Sequence, residues 1–117
     1  MNLPVTSREH SDGTVRIRPY GEIDLDNAYQ IREAVDAVLV ASKPAKIIID
    51  LGAVTLIDSV GIGVMVACYH AASACQVLLQ AVKPAPLVYR QLWISGLVGL
   101  FGLATPPPSR DAQSAPR

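Results

Sequence analysis

The residues with the most chemical potential are Asp58-Ser59, between the apolar run Ile47-Ile48-Ile49 and the glycine-punctuated Val60-Gly61-Ile62-Gly63. A serine hydroxyl becomes a useful nucleophile only with a base in reach. The two histidines are His10, in the turn-like His10-Ser11-Asp12-Gly13, and His70. If a helix begins at Ser59, His70 lies about three turns along it. Neither is placed as a base. A hydrolase elbow reads Gly-x-Ser-x-Gly, whereas this chain reads Ile57-Asp58-Ser59-Val60-Gly61. No catalytic residue is assigned. Two other roles suit the hydroxyl. Serine is among the favoured helix caps, and a helix N-terminus tolerates an added phosphate. Phosphorylation would place nearly two negative charges beside Asp58 and Asp24, with little effect on the fold and a large effect on a docking surface.

Other chemistries fit less well. Cys68 and Cys75 on one helix would stand ~10 Å apart, beyond the ~7 Å that a disulfide spans, so both are read as free thiols. With His70 they match no zinc spacing, and no metal ligand is assigned. Asp24, Asp26, Asp50 and Asp58 invite a Mg²⁺ reading. The first strand, however, ends in no acidic pair, and capping carboxylates explain the same residues. Gly61-x-Gly63 begins like a dinucleotide fingerprint, but the third glycine would fall at Val66. Close helix–sheet packing by Gly61, Gly63 and Ala67 is the better account. No cofactor is expected.

These residues need a scaffold, and the chain can supply one. It has 117 residues, half of them hydrophobic, which suits one domain with a real core. Ten basic and ten acidic side chains balance, which argues against nucleic-acid or anionic-membrane partners. The segment from Val60 to Cys75 falls short of a membrane helix, and the N-terminus lacks signal-peptide features. A cytoplasmic protein is expected. Leu3 and Val5 alternate with polar residues, as in an edge strand. Asp12-Gly13 marks a hairpin turn. Val15 and Ile17 alternate with Arg16 and Arg18, and Pro19 places that part of the strand at an edge, an end or a bulge. Asp24 or Asp26 can cap a helix whose apolar stripe is Ala28, Ile31, Val35, Val38 and Leu39.

The unbroken β-branched run from Lys46 to Leu51 predicts a strand covered on both faces. Leu56-Ile57 is expected to anchor the next connection to the core. A second helix is predicted from Val60 to about Ala74, a strand from Gln76 to Val82, and a third helix from Pro86 to about Ser95, stopping at Gly96. Val88 and Leu92 form its inward stripe, leaving Tyr89 and Trp93 partly exposed. Leu97–Ala104 could be a short last strand, and residues 105–117 read as a disordered Pro/Ser-rich tail. Alternating strands and helices imply an α/β fold with a small, mostly parallel sheet of four to five strands and about three helices.

The ordered set Gly21-Glu22-Ile23-Asp24, Ile31-Arg32-Glu33-Ala34, Ile48-Ile49-Asp50-Leu51 and Ile57-Asp58-Ser59-Val60-Gly61-Ile62-Gly63 resembles the STAS domain of bacterial anti-sigma factor antagonists. Leu92, Gly96-Leu97 and Phe101 fit that family's C-terminal pattern, and the resemblance covers about residues 14–104, within a single domain spanning 1–104. It implies a non-enzymatic protein, monomeric or weakly dimeric, that binds an anti-sigma factor serine kinase and so frees a sigma factor. It implies that the kinase phosphorylates Ser59 to end the interaction and that a serine phosphatase resets it. By position, Asp24, Leu25, Asp58, Val60, Gly61, Ile62 and Gly63 would form the partner-binding surface. The alternative within the family is a constitutive scaffold, in a stress complex or beside a transporter, that docks its partner without phosphorylation. Two departures stand out. Val60 replaces the small or hydroxyl residue common after the serine, and Ala74-Cys75-Gln76 lacks the glycine usual before the next strand.

Overall fold

A computed structural model describes residues 3–104. The expected tail, 105–117, lies outside the described residues. The chain runs β1 (Val5–Glu9), β2 (Thr14–Pro19), β3 (Gly21–Ile23), α1 (Tyr29–Ala41), β4 (Lys46–Asp50), β5 (Val54–Ile57), α2 (Ser59–Ala74), β6 (Leu78–Val82) and α3 (Pro86–Ile94). It is an α/β domain, as the alternation of strand and helix patterns requires.

Four strands form the main sheet in the order β1-β2-β4-β6. The β1–β2 hairpin is antiparallel, turned at Asp12-Gly13, and β2, β4 and β6 are mutually parallel. Pro19 is the last residue of β2, where its missing donor costs little. The short strands β3 and β5 make a separate parallel pair. The sequence reading missed this pair. At three and four residues, neither strand is long enough to show a period, and β3 carries an irregular register at Gly21/Glu22.

Val15, Ile17, Ile47, Ile49, Leu79 and Ala81 line one face of the main sheet and are buried. Helices α1 and α2 pack on each other and cover that face with Ile31, Val35, Leu39, Met65, Cys68 and Ala72. No helix among the described residues covers the other face. Arg16, Arg18, Ile48 and Gln80 lie on it half-buried. The expectation that β4 is covered on both faces is therefore corrected. Ile48 sits opposite Arg16 in register, and a half-exposed isoleucine in a β-branched run reads like a buried one.

The expected last strand over Leu97–Ala104 is also corrected. The segment curls through turns, with the Phe101 N–H bonded to the Leu97 carbonyl and the Leu103 N–H to the Val98 carbonyl. Val98 and Phe101 recur at helical rather than alternate spacing, and both are buried. Gly102, at φ +70°, lets the chain turn back. The Phe101 carbonyl accepts the Ala81 N–H at 2.9 Å, so the segment caps the free edge of β6. Phe101 also meets Tyr69 of α2 edge-on, with centroids 6.1 Å apart. Between α2 and β6, Gln76 takes φ +61°, the left-handed conformation for which glycine is suited.

Candidate functional site

The site is built where β3 and β5 deliver their C-terminal ends to the start of α2. Ile23 closes β3 and Ile57 closes β5, both buried. The Ile23 carbonyl accepts the Asp58 N–H at 3.0 Å, which fixes the chain as it enters the helix. Asp58 is the N-cap, with extended backbone at φ −92° and ψ 179°. One carboxylate oxygen accepts the Gly61 N–H at 2.8 Å, satisfying an otherwise orphaned donor of the first turn. The other accepts the Leu25 N–H at 3.1 Å, from a loop 33 residues earlier. The two oxygens of this one carboxylate thus tie the helix start to the loop. The reading of Ser59 as the cap is therefore corrected: Ser59 is the first residue of α2, exposed beside the capping carboxylate.

The loop from Asp24 to Ala28 is ordered by its own polar groups. The Asp24 side chain accepts the Asp26 N–H at 2.9 Å, and the Asp24 carbonyl accepts the Ala28 N–H at 2.9 Å. The expected capping of α1 by Asp24 or Asp26 is not observed. The residue at the cap is Ala28, with no side-chain bond, because a turn over 25–28 intervenes before the helix begins. Asn27, which sequence reasoning passed over, is buried and holds the loop from inside. Its amide donates to the Glu22 carbonyl at 2.8 Å and its oxygen accepts the Asp24 N–H at 2.9 Å. A polar residue one position before an apolar stripe was the available signal.

Of the seven partner-binding candidates, Asp24, Leu25, Asp58 and Val60 gather around Ser59 on this loop–helix junction. Leu25 is 70% exposed and Val60 41%. Ile62 is half-buried and Gly63 exposed further along α2. Gly61 is buried, and a Cβ there would lie 2.7 Å from Ile23 Cγ2 and 2.9 Å from Ile57 Cγ1. Gly61 thus seats the helix against the strand ends. A Cβ at Gly63 would meet nothing within 4 Å, so the close-packing role expected of that glycine is corrected. Leu56 does not anchor the connection to the core but is 44% exposed, on β5 beside Glu22.

The other candidate side chains lie away from this junction. The Asp50 carboxylate, 2% exposed, accepts Arg16 Nε at 3.0 Å, Arg18 Nη1 at 2.8 Å and the Gly52 N–H at 2.9 Å. Burial pushes its pKa up, but the Gly52 N–H and the two guanidinium groups outweigh this and hold it below the ordinary 3.8. Burial pushes the Cys68 thiol up to about 12, while Cys75 is exposed. Among the described residues, no group of three or more His, Cys, Asp or Glu side chains could hold a metal ion. No helix among them is long and apolar enough to cross a membrane.

Comparison with known proteins places this geometry. A family profile described as the STAS domain matches residues 6–111. No curated protein matches the chain in sequence. Among solved structures, the chain is similar to an anti-sigma factor antagonist from Mycobacterium paratuberculosis, at 31% identity and a TM-score of 0.76 over 97% of this chain and 92% of that one. Its fold is shared with the anti-sigma factor antagonist SpoIIAA in its unphosphorylated form, at 24% identity and a TM-score of 0.73 over 92% and 94% of the two chains. It is shared also with the phosphorylated form of SpoIIAA, described as a Bacillus cell fate determinant, at 23% identity and a TM-score of 0.65 over 84% and 87%.

Proposed function

The chain belongs to the STAS domain family, and on that premise we propose that it is an anti-sigma factor antagonist switched by phosphorylation of Ser59. The observation that carries this reading is the junction itself. An exposed serine stands on the first turn of α2, flanked by the exposed apolar side chains of Leu25 and Val60 and backed by the Asp58 cap. The unphosphorylated surface docks an anti-sigma factor serine kinase through Leu25, Val60, Ile62 and the exposed backbone at Gly63. Asp24 and Asp58 rim the contact, and Gly61 sets the height of the helix beneath it. Binding removes the kinase from its sigma factor.

The kinase then transfers phosphate to the Ser59 hydroxyl. The helix terminus tolerates the new charge, so the domain stays folded. The docking surface gains nearly two negative charges next to Asp58 and Asp24, and an apolar contact around Leu25 and Val60 cannot bury them. A serine phosphatase restores the hydroxyl. The chain acts by binding, with neither metal nor cofactor, in the cytoplasm, where such a kinase would draw on ATP. That SpoIIAA has been seen in both forms supports the reading that this fold carries the modification.

The test is binding of an anti-sigma factor kinase to the wild type, Ser59→Ala and Ser59→Asp, measured by titration calorimetry. Ser59→Ala should bind as the wild type does and Ser59→Asp at least about tenfold more weakly, the order of effect of a desolvated charge at an interface. Equal binding by both variants would instead establish a constitutive scaffold.

A further inference from the structure

We propose that the open face of the main sheet is a second docking surface, which binds an acidic segment of a protein partner. The register puts four cationic side chains on this face: Arg8 of β1 lies directly opposite Arg16 of β2, Arg18 follows two residues on, and Lys46 begins β4. Among the described residues, Asp50 is the one carboxylate beside them. The chain as a whole carries no net charge, so this face is basic at the expense of the rest of the surface.

The cations are held ready. Asp50 engages Arg16 through Nε and Arg18 through Nη1, at 3.0 and 2.8 Å, and among the described residues these are the only side-chain hydrogen bonds the two forks make, so each keeps further N–H donors for a ligand. The Arg18 guanidinium also lies over the Tyr20 ring, 5.3 Å from its centroid. Two guanidinium groups fixed by a buried carboxylate and a ring lose little rotamer freedom on meeting a ligand, and their planar forks match carboxylates. The Arg8–Arg16 pair points the same way. Like charges directly opposite on a ladder destabilise a sheet, and nothing in the fold requires arginine at position 8, which is exposed on an edge strand.

The composition of the face selects the occupant. Ile48 is half-buried and Leu78 is 50% exposed on the same face. Arginine and tyrosine mixed with exposed aliphatic side chains are typical of protein interfaces. Single-stranded nucleic acid needs a row of aromatic platforms, which this face lacks among the described residues. Helices α1 and α2 cover the opposite face, and Ser59 belongs to α2, so both surfaces can be occupied at once.

The experiment uses the full chain and fluorescence anisotropy with a labelled oligoglutamate peptide, with oligothymidylate and phosphatidylserine vesicles as parallel probes. The peptide should bind saturably, more weakly as salt rises, and equally to the wild type and Ser59→Asp. Arg8→Glu combined with Lys46→Glu should lower its affinity about tenfold. Arg8→Gln alone leaves the Asp50 clamp intact and keeps the proposal testable if the double variant fails to fold. It should lower affinity about threefold while raising the urea midpoint, since it removes the Arg8–Arg16 repulsion. The proposal is overturned if binding is not saturable, if Arg8→Gln binds the peptide as tightly as the wild type, or if oligothymidylate or vesicles bind more tightly than the peptide.

Discussion

Replacing Gly61 or Gly63 with alanine should move stability in opposite directions, although the two glycines lie two residues apart on one helix. At Gly61 the new methyl would stand 2.7 Å from Ile23 Cγ2, 2.9 Å from Ile57 Cγ1 and 3.3 Å from the Ile23 carbonyl oxygen. Ordinary carbon contacts lie at about 3.5–4.0 Å, so the helix or the strand ends must move by most of an ångström. Neither isoleucine has room, since both are buried, and the Ile23 carbonyl is committed to the Asp58 N–H. Overpacking of this kind costs about 1–3 kcal/mol. Alanine recovers up to about 1 kcal/mol of helix propensity, so Gly61→Ala should be destabilised by about 1–2 kcal/mol. At Gly63 the methyl meets nothing, and only the propensity gain of up to about 1 kcal/mol remains. Urea unfolding followed by circular dichroism reads the difference. With a slope of about 1–1.5 kcal/mol/M for a domain of this size, the midpoint should fall by roughly 1 M for Gly61→Ala and rise by about half that for Gly63→Ala. Midpoints that move in the same direction would refute the close seating of α2 on Ile23 and Ile57.

Other consequences are as direct. Asp50→Asn leaves Arg16 and Arg18 without their buried counter-charge and should cost about 2 kcal/mol, below the cost for a fully buried pair because the arginines are partly exposed. Because the folded-state pKa of Asp50 is depressed, its stabilisation is present above the ordinary value of 3.8 and lost as pH falls through the folded value. Urea midpoints measured on acidification should therefore fall more steeply for the wild type than for Asp50→Asn below about pH 4. Iodoacetamide at mildly alkaline pH should label the exposed Cys75 and spare Cys68, whose thiol burial holds up to about 12, until the chain is unfolded. Mass spectrometry of the native protein showing equal labelling of both would contradict that placement. Gln76→Gly should raise the thermal midpoint, because relief of the left-handed backbone strain at φ +61° is worth about 1 kcal/mol.

What could be read ahead of the structure follows element length and contact range. The stripe Ile31, Val35, Leu39 announced α1 by spacing alone, and Pro86 and Gly96 bracketed α3. β3 and β5 are too short to show a period, so the pair that presents the site looks like connection in sequence. Asp58 and Ser59 are both good caps. What separates them is the Leu25 N–H arriving from 33 residues away, a tertiary fact. The Asp50 clamp was hidden for the same reason: its arginines lie 34 and 32 residues earlier and meet it only once β2 and β4 are in register. In sequence Leu56 is indistinguishable from a core residue, because an apolar residue beside Ile57 looks the same whether it faces in or out. The cluster around Ser59 was legible because most of it is contiguous in sequence and the family motif covers the rest.

Ser59 is the proposed switch. Its most direct measurement is phosphosite mapping by mass spectrometry after incubation of the full chain with ATP and an anti-sigma factor serine kinase, with the kinase complex followed in parallel by size-exclusion chromatography. A single phosphate on Ser59 is expected, with none on the Ser59→Ala variant and dissociation of the complex as the phosphate accumulates. A chain that stays unmodified in a stable complex, or that carries its phosphate on another residue, would contradict it.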